Sequence, residues 1–413
     1  MLFTEILLFM LAGCGLGIVT GLVPGIHINM VSVLVIASLP VFADFSPLAV
    51  ACMIMAMSVT HTFLDFIPSV LFGAPESGTA LSVLPGHRML LSGRALEAIK
   101  LTGLGSLVSL LITAVVFIPV VAFLPAAYAF VKPNILYLLI FVCCISIGTE
   151  KKLLTAGFVF LLAGLFGFFL LNSSLFDSGI IFPALSGMFG ISTMLLSLRG
   201  ECVIPIQIKA KATLKAGAVL KNSFLGSIAG MMVGMLPGLG GAQATYLVQQ
   251  VSRKGGVKEF LVAASGVNTA NIIFTLVVLY ALGKMRSGIV IAIDKIVTNF
   301  GFVDLVIFLG VILGAGGIAM LLHIGIGGFL TKKVCGGGNF YNKITVGIIL
   351  LIVVSVIWLT GLTGLLVLVL STIIGLIAPL AGVRRANCMA FFLVPVMLYY
   401  SGLNFWLMKL VGV

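Results

Sequence analysis

Apolar runs of roughly 20 residues alternate along the whole chain with short polar or basic stretches, and a helix rising 1.5 Å per residue needs about that many to cross a bilayer core. Runs such as Leu107 to Leu124 and Val346 to Leu359 are apolar on every face and lack a two-residue alternation, so they read as helices and not as strands of a barrel. The pattern predicts helices at about 4–21, 26–43, 47–72, 102–123, 134–148, 153–171 and 179–197. A basic, more polar stretch follows from Arg199 to Lys221, and a second set is predicted at about 222–236, 239–251, 259–283, 303–330, 344–360, 362–381 and 387–408. The expected fold class is an all-α polytopic membrane protein of about 10–14 hydrophobic segments.

Composition strengthens this reading. Hydrophobic residues make up 61% of the chain and charged ones 8%, against about 25% charged in soluble domains. The first apolar run leads into Gly21-Leu22-Val23-Pro24-Gly25 with no small-residue cleavage site, so it reads as a helix and not as a cleavable signal. The net charge of +12 is spread among short loops, which explains it as an orientation signal and leaves no reason to expect a nucleic-acid partner. Loops around Arg88, Arg94 and Lys100, around Lys151 and Lys152, and the linker from Arg199 to Lys221 are expected on the cytoplasmic side of a multi-pass protein of the cell membrane. Lys284, Arg286 and Lys295 are the exception, because counting helices puts them outside. Seven scattered cysteines have no CxxC spacing and no histidine pair to complete a zinc site, so no metal is expected and they read as packing residues.

The chain repeats itself. Gly17, Gly21, Pro24 and Gly25 align without gaps on Gly230, Gly234, Pro237 and Gly238, and Gly73 with Ser77-Gly78 aligns on Gly283 with Ser287-Gly288. The expected organisation is a first transmembrane repeat at 1–198, a basic cytoplasmic linker at 199–221 and a second repeat at 222–413. An odd number of crossings before the linker makes the two halves inverted, with broken or re-entrant helices, and in such folds the interrupted segments flank the substrate.

Proline at 24 and 237 removes a backbone donor, and the following glycine accepts conformations closed to other residues, so each helix should break there. Freed amides and carbonyls cannot face lipid and must line a polar cavity or be buried in protein. Pro24, Gly25, His27 and Asn29 in one half, and Pro237, Gly238, Gly240, Gly241 and Gln243 in the other, are therefore substrate-binding candidates. The competing explanation is a proline kink with glycine rows serving close helix packing, which is the better account of the rows taken alone. The segment from Gly73 to Ala95 reads as re-entrant or interfacial, and Ser77, Gly78 and Thr79 offer neutral hydroxyls and amides to a carboxylate. His61 and Asp65, one turn apart within a hydrophobic run, are ion-coupling candidates, beside an alternative as a neutral interhelical pair. Asn268 and Asn271 add amide ligands in the equivalent helix, whereas a lone His323 more often packs. No zinc-protease, phosphate-loop or nucleophilic-triad pattern is present, so neither an enzyme nor a resident cofactor is expected.

The two Pro-Gly breaks, together with Ala74-Pro75-Glu76 and the stretch Leu84-Pro85-Gly86-His87-Arg88-Met89-Leu90-Leu91-Ser92-Gly93-Arg94-Ala95, resemble the large permease subunit of the tripartite tricarboxylate transporters, the TctA type. Glu76, Leu84, Gly86, Met89, Gly93 and Ala95 keep that family's skeleton. Pro85 stands where the family has Asp, Arg88 where it has Pro, and Ala74-Pro75 where it has Pro-Gly, which resembles a divergent, archaeal branch. The resemblance implies ion-driven uptake of a small organic anion, a di- or tricarboxylate, coupled to Na+ or H+. It also implies a small membrane subunit and an extracytoplasmic substrate-binding protein as partners. A homodimer is compatible with it. Two rival readings remain at the level of sequence: a lipid-linked (polyprenyl) phosphate translocase using Arg88 and Arg286, and a non-transporting membrane scaffold or intramembrane enzyme.

Overall fold

The computed structural model describes residues 2–23, 28–73, 79, 83–172, 180–198, 205–208, 213–236, 240–241, 244–245, 247–248, 256–285, 287–334 and 340–411, and all regular structure among them is helical. The first half contains α1 (Leu2–Leu22), α2 (Ile28–Ala37), α3 (Pro47–Leu64), α4 (Phe66–Phe72), α5 (Val83–Leu91), α6 (Ala95–Val131), α7 (Ile135–Gly148), α8 (Leu153–Asn172), α9 (Ile181–Leu185) and α10 (Ser192–Leu198). The second contains α11 (Ala216–Met235), α12 (Val257–Leu282), α13 (Gly288–Ile296), α14 (Phe302–Val334), α15 (Phe340–Ala381), α16 (Ala390–Tyr400) and α17 (Leu403–Val411). Among the described residues, 8 helices are long and apolar enough to cross a membrane, and a pair bent by 104° around Ser401–Gly402 makes up to 9.

The boundary expected between 344–360 and 362–381 is met at Gly361, whose φ of 65° and ψ of −156° break the helical run that spans both segments. Elsewhere the structure departs from the expected boundaries. The segment expected at 47–72 is interrupted at Asp65 because Pro68 has no N–H to give to the Leu64 carbonyl. A π-helical stretch at Ser186–Ile191 separates α9 from α10. The described part of the interfacial segment is the short α5, which carries Pro85 in its first turn, where a missing donor costs nothing.

Two helices form the centre. In the most apolar window of α3–α4 and of α12, 89% of residues are buried, against 22% in α1 and 17% in α15, which therefore turn most of their surface to lipid. Around this centre the halves interdigitate: α1 packs on α3 and α11 on α12, while α6 lies on α12 and α14 on α3. The remaining helices form a flank in which α8 packs on α16 and the π-helical stretch on α15.

Glycine rows set the close approaches. A Cβ on Gly17 would lie 2.5 Å from Thr60 Cβ and 2.7 Å from Met57 O, and one on Gly21 2.8 Å from Leu64 Cβ. In the second half a Cβ on Gly226 would meet Ala263 O at 2.5 Å, one on Gly230 would meet Val267 O and Ala270 Cβ at 2.8 Å, and one on Gly234 would meet Phe274 Cβ at 3.1 Å. Met57, Thr60 and Leu64 are thus matched in order by Val267, Ala270 and Phe274, under glycine rows that themselves align in sequence. Both rows are packing devices that bring backbones together. A second match lies at the ends of α4 and α12, where Gly73 (φ 65°) and Gly283 (φ 62°) each close the helix in the left-handed region that glycine enters without strain.

Candidate functional site

The polar residues of the centre gather where α3 and α12 cross. Asp65 is 2% exposed and its Oδ2 accepts a 2.7 Å hydrogen bond from Asn268 Nδ2 on the opposite half. His61 Nε2 stands 3.9 Å from the same carboxylate oxygen, one turn earlier on α3. Thr62 and Thr269 share a 3.2 Å hydroxyl hydrogen bond across the crossing. The Asn271 Oδ1, buried, has no hydrogen-bond partner among the described residues. The cluster thus combines the Asp65 carboxylate, the His61 imidazole, the Asn268 amide and the Thr62 and Thr269 hydroxyls. This oxygen-rich set suits a small hard cation or a proton, at a place where an ionisable group is costly unless it has a function.

Three of the four coupling candidates are therefore brought together: His61 and Asp65 from one half and Asn268 from the other. Asn271 sits one turn beyond Asn268, with its backbone under Gly230 as the backbone of His61 sits under Gly21. Of the substrate candidates, Thr79 is fully buried, Asn29 is the second residue of α2, and Gly240 with Gly241 opens a helical stretch in which Ala244 N donates to Gly240 O at 3.1 Å. Pro24, Gly25, His27, Ser77, Gly78, Pro237, Gly238 and Gln243 lie outside the described residues, as does Arg286. His323 is fully buried against α6, with Nε2 2.8 Å from Ile99 O and 3.1 Å from Thr102 Oγ1, so it joins α14 to α6 as a packed histidine. Lys284 donates to the Tyr128 hydroxyl, its ammonium 4.1 Å from the ring centroid, a contact between halves that explains one of the three exceptional cations.

Charge pairing at the helix ends was not legible in the sequence. Glu97, fully buried at the start of α6, binds Arg94 Nη2 at 2.5 Å and Lys258 Nζ at 2.8 Å, and accepts a 2.9 Å bond from the Thr213 hydroxyl. It ties both halves to the end of the linker. The only sequence signal was the i, i+3 spacing of Arg94 and Glu97. Gln207 fastens the linker to the same corner, accepting from Ala95 N at 2.8 Å and donating to Leu90 O at 3.0 Å. On the flank, Arg384 pairs with Glu150 at 2.7 Å. Its neighbour Arg385 is 7% exposed, contacts the Thr193 hydroxyl and has no carboxylate partner among the described residues, and burial lowers its pKa to about 10.

A serine cluster locks α6 onto the second half. Ser109 Oγ lies 2.6 Å from Ser227 Oγ and donates to Gly266 O at 3.1 Å. Among the described residues no group of three or more His, Cys, Asp or Glu side chains is placed to hold a metal ion.

Comparison with known proteins agrees with this architecture. The chain is 30% identical over 408 residues to an uncharacterised protein of Methanocaldococcus jannaschii, covering 95% of this chain and 98% of that one. It is 26% identical over 261 residues to an uncharacterised 52.8 kDa protein of Agrobacterium vitis, covering 57% of this chain and 50% of that one. No solved structure matches. The family whose sequence pattern matches residues 7–390 is the Tripartite tricarboxylate transporter TctA family. An all-helical multi-pass architecture and a family match over nearly the whole chain lead to one conclusion: this protein is a membrane protein that belongs to the tripartite tricarboxylate transporter TctA family.

Proposed function

We propose that the chain is the permease of a secondary active transport system that moves a small organic anion, a di- or tricarboxylate, coupled to Na+ or H+. The observation that carries this reading is the buried Asp65 carboxylate, hydrogen-bonded across the crossing of two central helices to Asn268, with His61 beside it. A carboxylate in that position is charged when a cation neutralises it and neutral when it holds a proton, which makes the fit between the halves depend on the coupling ion. His61, Asp65, Asn268 and Asn271 act as the coupling group. The two Pro-Gly breaks and the Ser77 to Thr79 segment supply neutral ligands to the anion.

The paired packing supports a reading of alternating access. The matched contacts of the two glycine rows and the shared left-handed caps at Gly73 and Gly283 support a duplicated unit, and the odd number of crossings counted from the hydrophobic pattern of the sequence supports its inversion. Repeats of this kind rock against each other around a fixed site. In its tripartite system the chain works beside a small membrane subunit and an extracytoplasmic substrate-binding protein, in the cell membrane.

The test is uptake in proteoliposomes. Flux of a labelled di- or tricarboxylate should accelerate under an imposed Na+ or proton gradient, and Asp65→Asn should remove the acceleration. If no di- or tricarboxylate shows gradient-dependent flux, the carboxylate reading fails.

A further inference from the structure

We infer that the protein binds a small, soluble multivalent anion in a basic cleft at the mouth between its halves, separate from the Asp65 cluster. The cleft has a volume of about 630 Å3 and lies between α5, the turn leading into α6, the end of the linker and the starts of α11 and α12. That volume is in the range of sites for small ligands, about 300–1,000 Å3. Arg88, Arg94, Lys215 and Lys258 line it, and Glu259 is the one acidic side chain among the lining residues.

These charges divide into two groups with different consequences. Arg94 and Lys258 are held by Glu97, and Glu259 Oε2 accepts from Gly256 N at 2.9 Å, so these three are committed to structure. Arg88 and Lys215 are exposed and have no ion-pair partner among the described residues. Lys215 is also the N-cap of α11 and supplies no side-chain acceptor to that helix. The first amides of the helix, at Ala216 and Gly217, have no intrahelical acceptor by geometry. By contrast α12 is closed by Glu259, and α6 receives Gln207 at Ala95 N. Two cations with no ion-pair partner among the described residues thus line a cleft of ligand size. An ion with two or more negative charges is favoured over chloride because it engages both cations at once.

Equilibrium binding needs no flux, so the inference stands or falls independently of coupled transport. The experiment is calorimetric titration of the purified full chain, in nanodiscs of zwitterionic lipid, with citrate and with inorganic phosphate at low and high salt. The expected result is saturable binding that weakens with salt, and that falls about tenfold to a hundredfold in the double variant Arg88→Gln, Lys215→Gln, since each lost charge-assisted contact is worth roughly tenfold. Gly15→Ala, at a position with nothing within 4 Å of its Cβ, should bind as the wild type does. In the wild type alone, saturating citrate should protect Lys215 from amine-directed labelling read by mass spectrometry. Unchanged affinity in the double variant, unchanged Lys215 labelling, or absence of saturable binding of both anions overturns the inference. A response confined to nanodiscs containing anionic phospholipid also overturns it, by assigning the cleft to a lipid headgroup.

Discussion

Adding one methyl group to a glycine of the α1 row separates a packing role from mere chain flexibility. In Gly17→Ala the new Cβ starts 2.5 Å from Thr60 Cβ and 2.7 Å from Met57 O, where ordinary contact is 3.4–4 Å. The backbone on either side cannot rotate out of the way, so α1 and α3 must move apart by about 1 Å. Overpacking of this kind costs about 1–3 kcal/mol, and alanine returns up to about 1 kcal/mol of helix propensity. The expected net loss is about 1–2 kcal/mol. Gly230→Ala faces the equivalent clash at 2.8 Å and should lose the same or slightly less. Gly15→Ala is the control, since nothing lies within 4 Å of its Cβ; it should be neutral or stabilised by up to about 1 kcal/mol. Thermal unfolding midpoints of the detergent-purified proteins, compared at one scan rate, should rank Gly15→Ala above Gly230→Ala and Gly230→Ala at or above Gly17→Ala. A Gly17→Ala midpoint at or above that of Gly15→Ala refutes the packing argument.

Other outcomes follow from the charged groups. Glu97→Gln strands Arg94 and Lys258 and should destabilise the fold by about 2–4 kcal/mol, less than for a fully sealed pair because both cations keep some access to water; Lys258→Met in the same chain should restore part of the loss in unfolding assays. Arg385→Met removes a buried guanidinium that has no carboxylate partner among the described residues, and should leave the unfolding midpoint unchanged or raise it, whereas a drop of several degrees would mean that its contact with Thr193 outweighs the cost of burial. Burial holds the His87 imidazole below its ordinary pKa, against a weaker pull upward from the Val70 carbonyl. The unfolded chain therefore binds that proton first, so stability is full above the ordinary imidazole pKa and declines as pH falls below it; in His87→Gln the unfolding midpoint should depend less on pH in that window.

The amino-acid sequence by itself determined the class of this protein and much of its plan. Hydrophobic runs with few charges can be accommodated only by a bilayer, and in a bilayer only internally bonded helices satisfy the backbone, so length and apolarity were enough to predict spans. The glycine rows were legible for a similar reason, because only glycine tolerates those close approaches, whereas Gly73 and Gly283 were legible only as matching positions of a repeat and the structure showed them to be left-handed helix caps. What the tertiary structure decided is which residues from distant parts of the chain meet. Asp65 and His61 were visible as a pair because they share one helix, but the 2.7 Å bond to Asn268 depends on how α3 crosses α12, which no local pattern encodes. Glu97 carries no sequence signal beyond its i, i+3 spacing from Arg94, and only the fold brings Lys258 and Thr213 from the other half and the linker onto it. Arg384 and Arg385 are neighbours in one basic loop, yet one faces a glutamate and the other is enclosed with no carboxylate partner among the described residues. Helix propensity and hydropathy act over a few residues, whereas the pairing of charges across the bundle depends on helix crossings set by side-chain packing along entire spans.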